Sequence, residues 1–305
     1  MKKCFLCGNK VKTILTDTLR GGKKGNVYYC ENCELGMLEA TKKLYDYYRN
    51  QYRKDPLHKE SDNPEELFYL YWNFQNDRIN FIKKYLNKNT TLLEVGCSSG
   101  MFLYNVKPYT KRIVGIDYDL ESGKFTSKKC NCIVFNTDIE DTDLPKESFD
   151  IICIFQTLEH VADPERFLKQ YRQYLKPNGT ICIEVPNIHD VLLSVYNLPN
   201  YRQFYFHPEH LWYFSDRSLL RLMDKSGFKG EVSFIEGYNL FNHINWINQD
   251  KPQGSCLIGK ASPMKIPLRR QSLLSEIFDD FDIFYKRILE KLGATSDLFY
   301  IGVKK

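Results

Sequence analysis

Three groups of residues in this 305-residue chain have types and spacings that can do chemistry. The first is a pair of Cys-x-x-Cys knuckles, Cys4 with Cys7 in "CFLCGNK" and Cys30 with Cys33 in "YYCENCELGM". Thiolates two residues apart on a tight turn reach a single ion, and Gly8 lets the first turn close. Two such turns supply the tetrahedral four-sulfur shell that structural zinc prefers. Four sulfurs leave no open coordination position, so such an ion supports the fold and does no catalysis. Two pairs with no βαβ pattern around them do not read as a thioredoxin-like redox motif. The other six cysteines are scattered through apparent strands and loops and read as small buried hydrophobes.

The second group is His207, Glu209 and His210 in "HPEHLWYF". Pro208 interrupts it, and it lacks the His-Glu-x-x-His spacing of a helical metal site. Histidine titrates near neutral pH, which suits a proton acceptor. The third group is the bend "EVGCSSGMFL", where Gly96 and Gly100 bracket a turn that lets a ligand lie close to the backbone. A dinucleotide fingerprint reads Gly-x-Gly-x-x-Gly, and Ser98 stands where its middle glycine would be. Asp117 follows 21 residues after Gly96, a position from which a carboxylate accepts bonds from two ribose hydroxyls. Asp138 lies further on in "NTDIED", near an expected adenine pocket.

Elements that would position these residues alternate after residue 90. Short apolar runs ("TLLEVG", "RIVGIDY", "CIVFNTD", "FDIICIFQ", "TICIEVP") are separated by helical segments. That order predicts a parallel sheet with helices on both faces, whose ligands bind beyond the carboxyl ends of the strands. "EVSFIEGY" and "DLFYIGVKK" read as a sixth and a seventh strand. In "SDRSLLRLMDKSGF", Ser215 is the expected N-cap and Gly227 the stop. "LRRQSLLSEIFDDFDIFYKRILEKLG" predicts a long amphipathic helix packed on the sheet. Upstream, "RGGKKGN" reads as a hairpin tip between the two cysteine pairs, and "RKDPLHKESDNPEE" as a linker. "ELFYLYWNFQNDRINFIKKYLN" has helical spacing, with Leu67, Tyr71, Phe74, Ile79 and Ile82 near one side. The expected division is a zinc-ribbon-like module over 1–38, a helical linker or lid over 39–75, and the α/β domain over 76–305, with an insertion at 187–214.

Charge is uneven. Residues 1–60 carry 13 Lys and Arg against 7 Asp and Glu, whereas the whole chain is at +5. This basic segment reads as a solvated surface, with contact to nucleic acid as the alternative. No apolar run reaches the length of a membrane span or of a secretory signal. The expected location is therefore the cytoplasm, with no membrane partner; the oligomeric state is left open.

As an ordered set, these motifs resemble the class I S-adenosylmethionine-dependent methyltransferases over residues ~70 to 305. The resemblance implies a Rossmann-like α/β fold with a seven-stranded sheet, S-adenosylmethionine as cofactor and Zn2+ as a structural ion. It carries Glu94, Gly96, Cys97, Ser98 and Gly100 onto the loop under the methionine portion, Cys97 through its backbone. Asp117, followed by Tyr118, matches the ribose-binding acid; Asp138 and Ile139 match the adenine contact. Gln156 matches the residue at the sulfonium end, and His160 a loop-holding position. A four-cysteine module, this core and a Glu-His pair together resemble bacterial methyltransferases of sugar and natural-product pathways. Relatives of that kind methylate carbon on nucleotide-linked ketosugars. Glu209 and His210 match their pair, while His207 stands where they have a tyrosine. The implied function is methyl transfer to a small-molecule acceptor, a nucleotide-linked sugar or another biosynthetic intermediate, with His210, Glu209 and His207 at the acceptor. The alternatives are an RNA methyltransferase carrying a zinc module and a non-catalytic protein with a relic cofactor fold.

Overall fold

The computed structural model describes residues 2–39, 63–251 and 272–305. Cys256, the tyrosine-rich stretch over 42–52 and most of the expected linker lie outside the described residues. The chain opens with β1 (Lys2–Lys3), β2 (Lys10–Val11), β3 (Thr13–Thr18), β4 (Lys24–Cys30) and β5 (Leu35–Leu38). Helices α1 (Pro64–Tyr71) and α2 (Asn76–Ile82) lead into β6 (Thr91–Val95), α3 (Met101–Val106), β7 (Arg112–Ile116), α4 (Leu120–Cys130) and β8 (Ile133–Phe135). Then come β9 (Phe149–Phe155), α5 (Pro164–Arg172), β10 (Leu175–Pro186), α6 (Val191–Ser194), α7 (Pro199–Tyr205), β11 (Trp212–Tyr213) and α8 (Asp216–Lys225). The chain closes with β12 (Phe228–Ile235), α9 (Leu240–Gln249), α10 (Ser272–Leu292) and β13 (Asp297–Lys304).

Seven strands form one sheet in the order β12-β13-β10-β9-β6-β7-β8. The pairs β10–β9, β9–β6, β6–β7 and β7–β8 are all parallel. The strands at its centre are apolar on both faces: Leu92, Leu93 and Val95 of β6 and Ile151 to Ile154 of β9 are buried. This is the continuous hydrophobic reading expected of a covered parallel sheet. The seven-stranded Rossmann-like α/β core thus stands as the sequence predicts. Cys97, Cys130, Cys153 and Cys182 are buried, as small hydrophobes should be, while Cys132 is half-buried.

Two compact units are present. One gathers 1–39, 186–218 and 232–299; the other gathers 40–185, 219–231 and 300–305. In the first unit a four-stranded sheet runs β11-β5-β4-β3. The hairpin between β3 and β4 turns through Gly21 (φ 71°) and Gly22 (φ 74°), where the sequence places its tip. Strand β11 adds to β5 with Trp212 opposite Met37 and Tyr213 opposite Gly36. Residues of the segment after β10 thus complete a sheet begun before residue 40. Ser215 caps α8 by a reciprocal pair: its hydroxyl accepts from Ser218 N at 3.1 Å and its own amide donates to Ser218 Oγ at 2.8 Å. In the second unit the predicted stripe over 67–82 is interrupted. A 3-10 turn at Trp72–Phe74 separates α1 from α2, so the phase resets and Phe68 is the buried residue of α1. Ile79 and Ile82 keep their inward positions on α2.

The first unit also encloses a carboxyl group. Asp190, 1% exposed, caps α6 by accepting from Leu192 N at 2.8 Å, and accepts from the Tyr201 hydroxyl at 2.7 Å. Burial raises its carboxyl to about 6, against the pull of the Tyr201 bond. The folded chain therefore favours the protonated form. This contribution to stability is fully present below the unfolded value near 4 and is lost as pH rises through 6, a swing of about 3 kcal/mol. Asp190→Asn is neutral at every pH and keeps an oxygen for the Leu192 amide. Thermal melts should show its stability relative to wild type improving by up to about 3 kcal/mol between about pH 4 and about pH 7.5. A difference that does not change with pH would remove Asp190 from the account.

Candidate active site

Strand register brings the cofactor candidates of the second unit to one edge of the sheet. Val95 lies opposite both Ile116 and Ile154, and Ile116 lies opposite Phe135. The next residues, Gly96, Asp117 and Asn136, therefore leave the sheet together at its carboxyl edge, and β9 runs one residue further, to Phe155 opposite Glu184, before Gln156. Here β9 and β7 flank β6 from opposite sides, the reversal of strand order at which open α/β sheets bind ligands. A 390 Å³ cleft lined by Asn87, Asp150 and Lys176 opens at the amino ends of the same strands instead.

The bend after β6 is held left-handed at three positions: Gly96 (φ 75°), Ser98 (φ 48°) and Gly100 (φ 77°). A Cβ on Gly96 would lie 2.2 Å from Thr157 Oγ1. Ser98 adopts a conformation that costs a non-glycine residue about 1–2 kcal/mol. Its amide donates to Asp117 Oδ2 at 2.7 Å, and its carbonyl accepts from Thr126 Oγ1 at 2.8 Å. These bonds hold the serine in the glycine-like position. Asp117 Oδ1 accepts from Asp119 N at 2.9 Å. Asp117 thus clamps the bend through both of its oxygens. The Cys97 side chain packs beneath the bend against Gly115. Tyr118 donates its hydroxyl to Asp138 Oδ1, and Ile139 is buried at the start of the following turn.

Glu94 is 4% exposed, and its Oε2 has no hydrogen-bond partner among the described residues. Burial pushes its carboxyl well above the usual range, while the Arg78 charge pulls it down. The Ser99 hydroxyl beside the bend is likewise buried and unpartnered. An orphaned buried polar group costs about 1–3 kcal/mol, which a polar ligand offering a donor removes. A left-handed bend at the strand switch point, an acid at the end of the next strand and an unsatisfied buried carboxyl fit an adenosyl amino acid.

Four contributors, Asn136, Glu184, Arg78 and Glu159, escaped the sequence reading. Asn136 Nδ2 donates to the carbonyls of Asp117 (2.7 Å) and Asp119 (3.1 Å), fixing the turn that presents the acid. Glu184 in β10 accepts from Gln156 Nε2 at 3.1 Å and takes a two-pronged contact from Arg78, at 2.8 Å from Nε and 2.6 Å from Nη2. Gln156 itself is left-handed (φ 47°), and its amide donates to the Glu184 carbonyl at 2.8 Å. The only advance sign was a charge inside an apolar run, the Glu of "TICIEVP". Glu159 is fully buried, 3.8 Å from Nε2 of His160.

In the first unit, His207, Glu209 and His210 share one turn between α7 and β11. The two imidazoles stack with centroids 4.5 Å apart and planes at 17°. Glu209, 4% exposed, places Oε2 3.7 Å from His207 Nδ1 and Oε1 4.0 Å from Lys23 Nζ. The Tyr213 hydroxyl donates to the His207 carbonyl at 2.8 Å. On one side the turn is fastened to the cysteine module: Leu38 N donates to Leu211 O at 2.9 Å, and the Arg20 guanidinium sits 3.7 Å over the Phe204 ring. The module thus sets where the histidines stand.

The four candidate metal ligands also converge. Sulfurs of Cys4, Cys7, Cys30 and Cys33 lie within 4.8 Å of one another, Cys7 and Cys30 at 3.7 Å. A tetrahedron with metal–sulfur bonds of about 2.3 Å has edges of about 3.8 Å, so the set fits one zinc ion. The first knuckle closes through Gly8 (φ 74°) and the second through Glu34 (φ 54°). Burial works to raise the Cys7 thiol, but the Asn9 amide, the Asn32 side chain and the neighbouring thiols outweigh it and hold Cys7 down to about 6.

Among the described residues, no helix is long and apolar enough to cross a membrane. Residues 65–231 match the family described as "Methyltransferase domain". A ubiquinone biosynthesis O-methyltransferase of Coxiella burnetii is 28% identical over 167 residues, 47% of this chain and 71% of that protein. One from Pelagibacter ubique is 32% identical over 43% of this chain, and the match spans only 56% of its own length. A crystal structure of an S-adenosylmethionine-dependent methyltransferase from Archaeoglobus fulgidus shares the fold, with a TM-score of 0.52 and 23% identity over 79% of this chain and 97% of that one. The family match takes in more than half of the residues, including the bend and the strand ends where a donor would lie, and the chain accordingly belongs to the methyltransferase-domain family, as an S-adenosylmethionine-dependent methyltransferase.

Proposed function

We propose that this chain methylates an oxygen or carbon of a small-molecule acceptor, a sugar or another biosynthetic intermediate, with His210 taking the proton that the acceptor loses. The observation carrying this reading is the turn that joins two stacked imidazoles to a carboxylate at 4% exposure. Glu209 Oε2 lies 3.7 Å from His207 Nδ1, and the His207 ring stacks on His210, so the carboxylate bears on the proposed base through its stacked neighbour. The names of the Coxiella and Pelagibacter relatives support a hydroxyl acceptor.

Bound S-adenosylmethionine supplies an electrophilic methyl group on its sulfonium. The residues of this chain have the remaining tasks. Gly96, Ser98 and Gly100, with Glu94, receive the methionine portion, Cys97 contributing backbone. Asp117 accepts from the ribose hydroxyls; Tyr118, Asp138 and Ile139 border the adenine. Gln156, steadied by Glu184 and Arg78, borders the reacting end. His210 removes the acceptor proton, Glu209 stabilises the charge that results, and His207 stacks against the ring and orients it. Zinc on Cys4, Cys7, Cys30 and Cys33 supports the sheet to which this turn is fastened.

His210→Gln should leave donor affinity unchanged by calorimetry and slow turnover by about 10²-fold or more, the usual worth of general-base assistance. Unchanged turnover would remove His210 from the mechanism.

A further inference from the structure

Helix α10 presents a second apolar stripe that the described residues leave open. One side of the helix is seated: Leu289 is buried, Asp282 accepts from Leu240 N at 2.6 Å, and the Tyr285 hydroxyl meets His243 Nδ1 at 2.7 Å. On another side, Phe281, Phe284 and Leu292 are 56%, 64% and 68% exposed, and Ile277 and Ile288 are exposed as well. At about 100° per residue these five fall within about 80° of the helix surface, centred about 100° from Leu289, with the seated Tyr285 at the border. A contiguous apolar stripe on a surface marks an interaction site.

We propose that this stripe is a dimer interface, in which α10 packs antiparallel on α10 of a second copy of this chain, about a two-fold axis near Phe284. Charge complementarity selects that occupant. Beside the stripe, the first half of the helix carries Glu276 and Asp280, and the second half carries Arg287 and Lys291. An antiparallel pair centred on Phe284 sets Asp280 beside Arg287 and Glu276 beside Lys291, twice over. A parallel pair would set this charged flank against the opposite flank of the partner helix and would form none of these pairs. A membrane surface is the poorer partner, since helices that lie on anionic lipid carry Lys and Arg along the polar face. Here the first half is acidic. Two-fold symmetry also makes the interface self-complementary, as closed homodimers require.

Sedimentation of the full chain in low salt tests this. The expected result is a monomer–dimer equilibrium with a Kd of about 10 µM or tighter. Phe284→Glu, which sets two carboxylates against each other at the axis, should raise that Kd by about 100-fold or more. Because Phe284 is exposed, circular dichroism should show the variant folded. Glu276→Lys with Asp280→Lys should weaken the dimer too, and adding Arg287→Glu with Lys291→Glu should restore it. A wild-type chain that stays monomeric at about 100 µM overturns the proposal. So does a dimer indifferent to Phe284→Glu, or one that the four-residue charge swap fails to restore. Binding to anionic vesicles without self-association would assign the stripe to a membrane and overturn it as well.

Discussion

Gly96→Ala will abolish measurable donor binding while leaving the sheet folded, and calorimetry with S-adenosylmethionine should show affinity falling by at least about 100-fold. Two costs act together. An alanine at φ 75° occupies left-handed space disfavoured by about 1–2 kcal/mol. Its methyl would also lie 2.2 Å from Thr157 Oγ1, far inside contact distance, so either the bend or Thr157 must move. Thr157 is not free to swing away, because its hydroxyl donates to the Phe155 carbonyl at 2.9 Å. Moving the bend instead breaks the clamp between Ser98 and Asp117, and the acid then loses its aim at the ribose. The combined loss of stability should be about 2–4 kcal/mol. A double-mutant cycle separates the parts. Thr157→Ala removes the hydroxyl at 2.2 Å and leaves only its Cβ at 3.2 Å, so Gly96→Ala in that background should recover part of the affinity and keep the backbone penalty. Ser98→Gly is the control: it relaxes the serine while preserving the amide that Asp117 accepts from, and donor binding should stay within about threefold of wild type. Wild-type affinity in Gly96→Ala would mean that the donor does not lie over this bend, and the cofactor assignments would go with it.

Which parts of this site the sequence disclosed follows from the range of the interactions involved. The sheet was legible because each central strand is apolar on both faces, and such a run stands out from the helices around it. The bend and Asp117 were legible because strand ends are where α/β sheets bind, so reading the residues after each run suffices. The two knuckles were legible because cysteine pairs at that spacing have few other uses. Arg78 and Glu184 were not, since their ion pair joins positions 106 residues apart and neither has a local pattern. Asn136 is one polar residue in a polar turn; only the register of β7 and β8 puts it behind Asp117. Strand β11 has two residues, too short for any alternation, so nothing local predicts that the histidine turn is stitched to β5. Phe68 was missed for a different reason. The 3-10 turn after Tyr71 resets the helical phase, and a continuous 3.6-residue count across it picks the wrong faces.

That stitching makes metal removal the second large effect. Chelation, or Cys30→Ser, should unfold the β1–β5 module, and with it cost turnover while donor binding survives. The module is small and buries little: among its buried apolar side chains are Leu6, Val11, Leu19, Val27 and Leu35. Domains of that size without a large core depend on their metal, and four-sulfur zinc in small fingers supplies about 10–16 kcal/mol of apparent binding free energy at neutral pH. Losing one thiolate forfeits much of that. When β5 comes apart, β11 loses its partner at Met37 and Gly36, and the Leu38–Leu211 bond goes with it. The turn that carries His207, Glu209 and His210 then loses its fastening to β5. The bend at Gly96–Gly100 is built from a different stretch of chain and should keep its affinity for S-adenosylmethionine. The measurement is a pair: calorimetry for the donor, and turnover before and after chelation, with zinc added back. Falling turnover at constant donor affinity, rescued by zinc, supports a scaffold role for the ion. Loss of donor binding in step with turnover would mean that the whole chain unfolds without metal. Full turnover with the zinc gone would mean that the cysteine cluster has no part in holding the histidines.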